Sequence, residues 1–220
     1  MPGLLLAAAA AALLDLAAAA LGWASLRELT KPLPALLLAI LAARSAGVPR
    51  LFPAGLVLAA AGDELLLRPG DAAFAAGMAA FAAMHVCYIV TFGRLGKGPG
   101  LLRRVPSLVL PFAAAVLGTN LLLAGQAGSF ALPVALYSVL LGAMAACACD
   151  AAGRLPRPAG LALAAGALLF MLSDTALAFA TFWPGFALHG NAAEIAIVGV
   201  YFAAQIAIAG GVCSAAATAS

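Results

Sequence analysis

An all-α bundle of about eight transmembrane helices is the fold this sequence predicts, and three observations predict it. The 220 residues are 66% hydrophobic and 9% charged, with a mean hydropathy of +1.14, too few charged groups to build a soluble surface. The apolar residues fall into runs near the roughly 20 residues that cross a hydrocarbon core about 30 Å thick, cut by short charged or Pro/Gly-rich punctuation. Lys and Arg concentrate in alternate connectors, as the positive-inside rule requires of a polytopic chain. The whole chain, 1–220, reads as a single integral membrane domain, expected in a bacterial cytoplasmic membrane.

The spans fall at residues 4–23, 32–46, 51–67, 72–92, 105–124, 130–149, 160–182 and 187–213. The first is an Ala/Leu run that carries Asp15 and lacks a basic leader, so it reads as a retained helix rather than a cleaved signal. The second is short and opens on Thr30-Lys31-Pro32-Leu33-Pro34. Proline is tolerated in a first helical turn, and Lys31 can snorkel to the interface. The third and seventh each carry an aspartate, Asp63 and Asp174; the fourth carries His85 and Tyr88; the fifth, Asn120; the sixth, Tyr137; the eighth, Glu194, Tyr201 and Gln205. The longest polar stretch, 93–104, is a Gly/Pro-rich connector near the midpoint of the chain.

With the N-terminus cytoplasmic, the inner connectors hold Arg44, Arg50, Arg94, Lys97, Arg103, Arg104, Arg154 and Arg157, and the outer ones only Arg27, Lys31 and Arg68. Eight against three predicts that both termini are cytoplasmic. The net charge of +3 thus reflects topology, and no basic run with interleaved aromatics points to a nucleic-acid partner. Cys87, Cys147, Cys149 and Cys213 read as small buried hydrophobes, with neither a disulfide nor a zinc site expected. Two histidines cannot supply a three-His metal centre, so no metal or cofactor is expected.

The two halves share a pattern, Gly-x6-[Gly/Ser]-Asp-x-x-Leu: Gly55, Gly62, Asp63 and Leu66 against Gly166, Ser173, Asp174 and Leu177. A parallel repeat of four plus four helices is compatible with it, although matches at Gly and Leu come easily in such a composition.

A carboxylate in hydrocarbon costs roughly 2.5–3.5 kcal/mol even on a lenient insertion scale, so Asp63 and Asp174 are the candidate catalytic residues. Phe74, Gly77, Phe81, His85 and Tyr88 recur every three or four residues and share one helix face, which brings His85 and Tyr88 together. Glu194, Tyr201 and Gln205 share another. In the predicted topology Lys31, Asp63, Asn120, Tyr137 and Asp174 lie in the outer half of the bilayer and His85, Tyr201 and Gln205 nearer its middle, forming a polar pocket open to the non-cytoplasmic side. Blander readings stand beside this one: Lys31 as an interfacial anchor, Glu194 and Glu64 among lipid head groups, Asp15 paired within the bundle, His85 satisfied internally, and His189 solvated in its loop.

These elements, in this order, resemble the YhhN-like lysoplasmalogenase family. The resemblance rests on Thr30-Lys31-Pro32-Leu33-Pro34, on Gly62-Asp63 with Leu66, and on Phe74-x2-Gly77-x3-Phe81-x3-His85-x2-Tyr88. It continues through Tyr137, Gly166-x3-Phe170-x2-Ser173-Asp174 and Tyr201-x3-Gln205. It implies about eight helices and hydrolysis of the vinyl ether bond of lysoplasmenyl phospholipids, to a fatty aldehyde and a glycerophospho-ethanolamine or glycerophospho-choline. It also implies a catalytic pair at Asp63 and Asp174; around that pair we expect a phosphate contact at Lys31 and binding or hydrogen-bonding support from His85, Tyr88, Asn120, Tyr137, Ser173, Tyr201 and Gln205. Cleavage through an oxocarbenium-like cation suits two carboxyls, one as proton donor and one as anionic partner, as at glycosidic bonds. A proton-coupled transporter using the same intramembrane Asp, His and Tyr residues is the alternative, and an inert scaffold a third reading.

Overall fold

Ala and Leu, the residues most favourable to helix, dominate every apolar run. A bilayer leaves the backbone no other partners than its own carbonyls. The computed structural model describes residues 2–186 and 190–219, and among them there is no strand. The helices are α1 (Pro2–Ala20), α2 (Ala24–Thr30), α3 (Leu33–Arg44), α4 (Leu51–Leu66), α5 (Asp71–Gly93), the one-turn α6 (Leu101–Arg104), α7 (Leu110–Leu123), α8 (Ala131–Ala152), α9 (Arg157–Phe182) and α10 (Gly190–Ala219). Six stretches are long and apolar enough to cross a membrane: α1, α5, Pro106–Leu123, Gly128–Ala152, α9 and Asn191–Thr218.

The other two expected spans correspond to α3, of 12 residues, and α4, of 16. Their difference from expectation has a local cause in the first case. Lys31 and Pro32 keep right-handed helical angles, so the chain coils from Ala24 to Arg44 with a break in the middle. Pro32 and Pro34 lack the N–H groups that the carbonyls of Glu28 and Thr30 would receive in an unbroken helix. The second span thus starts earlier than its apolar composition suggested, with Arg27, Thr30 and Lys31 buried along it. The fifth expected span likewise opens with a 3₁₀ turn at Pro106–Val109 before α7.

Packing follows the same order in both halves. α1 packs on α3, α3 on α4 and α4 on α5; α7 packs on α8, α8 on α9 and α9 on α10. The halves join where α5 meets α8 and where α10 meets α3 and α1. α4–α5 and α9–α10 are the tightest pairs because glycine removes the side chain at the crossing. A Cβ on Gly62 would stand 2.7 Å from the Phe81 ring, and one on Gly166 would stand 2.8 Å from the Ile208 backbone nitrogen. α7 lies outermost, with Leu110, Leu117 and Leu121 exposed, as a lipid-facing helix requires.

Chain direction alternates, so the connectors gather at two ends. Asn191 Nδ2 donates to the Ala20 carbonyl at one end. At the other, Arg154 donates to the Phe92 carbonyl and the Leu102 N–H to Asp150 Oδ1. That second end carries the arginine-rich connectors.

Candidate active site

α4 delivers Asp63 next to Gly62, where the close approach of α5 seats Phe81 against the helix. α10 crosses over this point and brings Tyr201, whose hydroxyl donates to Asp63 Oδ2 at 2.7 Å. Asp63 is buried. α9 delivers Asp174, and α8 brings Tyr137, whose hydroxyl donates to Asp174 Oδ2. His85 of α5 completes this second arm, with Nε2 3.1 Å from the Tyr137 oxygen and 3.8 Å from Asp174 Oδ2. Each aspartate is therefore met by a side chain from the opposite half of the molecule.

Both aspartates line one cavity of about 420 Å³. Its other polar lining residues are Lys31, Tyr137, Ser173, Thr181, Glu194 and Tyr201, set among Phe74, Met78, Phe81, Leu177 and Phe182. It lies at the end of the bundle where α4 and α9 finish and α3, α8 and α10 begin. This is the end away from the arginine-rich connectors.

One layer behind the wall, Tyr88 donates to Gln205 Oε1 at 2.7 Å, and Gln205 Nε2 reaches the Tyr201 hydroxyl at 3.4 Å and Met84 Sδ at 3.6 Å. A directed chain of donors thus runs from Tyr88 through Gln205 and Tyr201 to Asp63. Phe170 packs edge-on between the arms, its centroid 5.1 Å from His85 and 5.4 Å from Tyr201. The two faces read from periodicity, His85 with Tyr88 and Tyr201 with Gln205, are both turned inward and both buried.

Asn120 departs from expectation. It is absent from the cavity lining: its Nδ2 donates to the Val116 carbonyl and to Ser138 Oγ, tying α7 to α8. α7 packs on the far side of α8, so a polar residue at the right depth on it cannot reach the cavity. Ser173 lines the cavity, but its hydroxyl is committed to the Ile197 carbonyl at 2.8 Å, clamping α9 to α10. Glu64 pairs with Arg68 at 2.9 Å near the surface, in line with its interfacial reading. Asp15 is the buried, bundle-facing alternative: it accepts from Thr30 Oγ1 at 2.9 Å and lies 3.7 Å from Arg27 Nε. Arg27 also binds Glu194 Oε1 at 2.5 Å. The sequence reading counted Arg27 only as a loop charge; the signal available was its place one helical turn before Lys31. His189 lies outside the described residues. The four thiols are free, and no group of three or more metal-ligating side chains occurs among the described residues.

A polytopic membrane helix bundle that holds a pair of aspartates in an apolar cavity near one membrane face is the class of protein these features define. The chain belongs to the YhhN family, whose model matches residues 26–212. Relatives include the lysoplasmalogenase TMEM86B of Homo sapiens, 37% identical over 164 residues covering 74% of this chain and 64% of that protein. TMEM86B of Sus scrofa is 35% identical over 156 residues, 70% of this chain and 59% of the relative. The lysoplasmalogenase TMEM86A of Bos taurus is 33% identical over 160 residues, 70% of this chain and 62% of the relative. The chain thus spans about three-fifths of the length of the curated relatives it matches. No solved structure matches it.

Proposed function

We propose that this protein is a membrane-embedded lysoplasmalogenase-type hydrolase that splits the vinyl ether of a lysoplasmenyl phospholipid into a fatty aldehyde and a glycerophospho-ethanolamine or glycerophospho-choline. Asp63 and Asp174 sharing one apolar cavity is the observation that carries the reading. The names of the relatives support the substrate class. Its location in a bacterial cytoplasmic membrane, with both termini on the cytoplasmic side, belongs to the same proposal and rests on the loop charges.

The reaction needs an acid toward carbon and a base toward water. Asp63 accepts one hydrogen bond, from Tyr201, and takes the role of acid: its carboxyl proton goes to the β-carbon of the vinyl ether, leaving an oxocarbenium ion. Asp174 receives the Tyr137 hydroxyl and stands beside His85, donors that hold an anion. It stabilises the cation and takes a proton as water adds to the α-carbon. The hemiacetal then gives its hydroxyl proton to Asp63 while the carbon–oxygen bond breaks, and the departing glycerol oxygen collects the proton from Asp174. One water is consumed and both carboxyls return to their starting states. Leu177, Phe182, Phe74 and Met78 offer the apolar wall for the alkenyl chain, and Lys31 a cation for the phosphate.

The test is release of fatty aldehyde from lysoplasmenylethanolamine by the purified protein. Asp63→Asn and Asp174→Asn should each lose about 10²–10⁴-fold in rate. In D₂O the aldehyde should carry one deuterium on the carbon next to the carbonyl. No aldehyde from the wild type, or undiminished release by both variants, would sink the proposal. A proton-coupled carrier is less well supported, because the donor chain behind Asp63 ends at Tyr88, whose ring packs on Phe52 and Phe92 rather than on a further polar group.

A further inference from the structure

Lys31 and Glu194 line the same cavity as the aspartates, yet they form no ion pair with each other. Lys31 is only 7% exposed, and among the described residues no side chain bonds its ammonium. Asp63, on the same cavity, is the carboxylate whose charge couples to Lys31, but it stands beyond ion-pair distance, so the ammonium keeps its N–H donors for an anion that enters the cavity. Glu194 is arranged differently. Its Oε1 is held by Arg27 Nη1, while its side chain remains 48% exposed and its second oxygen is uncommitted. Arg27 is itself backed by Asp15, which is fully buried and further fixed by Thr30 Oγ1. The single guanidinium is therefore shared between two carboxylates, bonded to Glu194 through Nη1 and 3.7 Å from Asp15 through Nε. One end of the cavity thus presents a cation and a carboxylate that do not pair with each other, the carboxylate held through one oxygen by Arg27.

We infer that Lys31 and Glu194 are the two poles of a head-group subsite, Lys31 for the phosphate and Glu194 for the ammonium, and that Glu194 makes the site prefer ethanolamine over choline. This rests on the hydrolase reading only in supposing that the occupant is a lysophospholipid. A primary ammonium donates N–H bonds to the free carboxylate oxygen, and a charge-assisted bond of that kind is the strong one. A trimethylammonium has no N–H to give, and its usual partner is an aromatic cage. The aromatic rings lining this cavity pack edge-to-face on one another instead, Phe81 with Tyr201 and Phe74 with Phe182. An anionic head without an ammonium meets Glu194 as a like charge. Asp15 and Arg27 are positioning residues that keep the Glu194 carboxylate aimed at the cavity.

Binding of saturated 1-O-alkyl lysophospholipids, which lack the vinyl bond, tests this without turnover. Detergent-solubilised protein would be titrated with the phosphoethanolamine, phosphocholine and phosphate-monoester forms by competition with a labelled alkyl lysolipid. The wild type should bind the ethanolamine form about tenfold more tightly than the choline form. Glu194→Gln should remove that preference by weakening the ethanolamine form alone, with the monoester unchanged or tighter. Lys31→Met should weaken all three. Equal affinity of the wild type for the ethanolamine and choline forms, no binding of any form, or a Glu194→Gln loss shared by all three would overturn the inference. If Glu194→Gln does not fold, Glu194→Asp replaces it: the withdrawn carboxylate must narrow the ethanolamine preference, and an unchanged preference overturns it. Intact head-group selection with no aldehyde release from vinyl ether substrates would count against the hydrolase reading and leave the subsite standing.

Discussion

Tyr201 and Tyr137 stand in the same relation to Asp63 and Asp174, but they are expected to matter differently. Tyr201 is the last donor in a chain that runs back to Tyr88, so removing its hydroxyl leaves Gln205 Nε2 without that oxygen as well as Asp63 without its donor. Tyr201→Phe should lower kcat about 10–100-fold, the equivalent of a hydrogen bond to a charged group at roughly 1.5–3 kcal/mol. Tyr137→Phe leaves His85 3.8 Å from Asp174 as a substitute donor, and the loss in aldehyde release should be smaller. Steady-state kinetics on the two variants, with KM followed separately, decides it; equal losses would remove the asymmetry assigned to the arms. At this scale the sequence was most legible where a residue was expensive. Asp63 and Asp174 stood out because hydrocarbon penalises them. Asn120 misled because α7 is apolar on all sides and no periodicity revealed which face met the bundle. Arg27 was hidden because a charge beside a Pro-containing junction reads as loop.

The helices owe their closest contacts to glycine, and the two tightest crossings should respond unequally to the same change. On Gly62 a new Cβ would press on the edge of the Phe81 ring, a side chain that can turn aside. On Gly166 it would press on the Ile208 nitrogen and the Ala204 carbonyl, at 2.8 and 2.9 Å, which belong to the α10 backbone and cannot move without the helix. Overpacking costs typically about 1–3 kcal/mol. Gly166→Ala should therefore lower the melting temperature in detergent more than Gly62→Ala does, while Gly62→Ala should act mainly on activity, through Phe81 and its neighbour Tyr201. The reverse order in thermal melts would contradict this packing argument. The helical type of these elements was legible from run length, since an apolar run of this composition has no alternative to helix in lipid, whereas only six of the eight expected spans reach membrane-crossing length. The break between α2 and α3 was legible only in part: the prolines marked it, but the charged turn before them concealed that the coil had already begun.

Across the whole molecule, the repeated packing order gives the cavity its make-up, because each half supplies one aspartate and the opposite half a neighbour to it, Tyr201 to Asp63 and His85 to Asp174, with Tyr137 donating to Asp174 from its own half. Pairing Gly62-Asp63 with Ser173-Asp174 hinted at this, but composition made the hint weak, and only the order of helix contacts gives it substance. The proposed orientation rests on the loop charges and is open to a direct test. In a cysteine-free background, Ser129→Cys should react with a membrane-impermeant maleimide added to intact cells and Lys97→Cys should not; the opposite pattern would invert the topology. The ring of Phe170, wedged between His85 and Tyr201, has a consequence for how the two ends of this machinery communicate. A hydrocarbon ring has no lone pair through which to pass a proton, so Phe170 works as an insulator between two short wires. Once a lipid has displaced water from the cavity, the two terminals can no longer discharge into each other. Under the proposed hydrolysis the substrate itself would close the circuit, and current would flow only when a bond is broken.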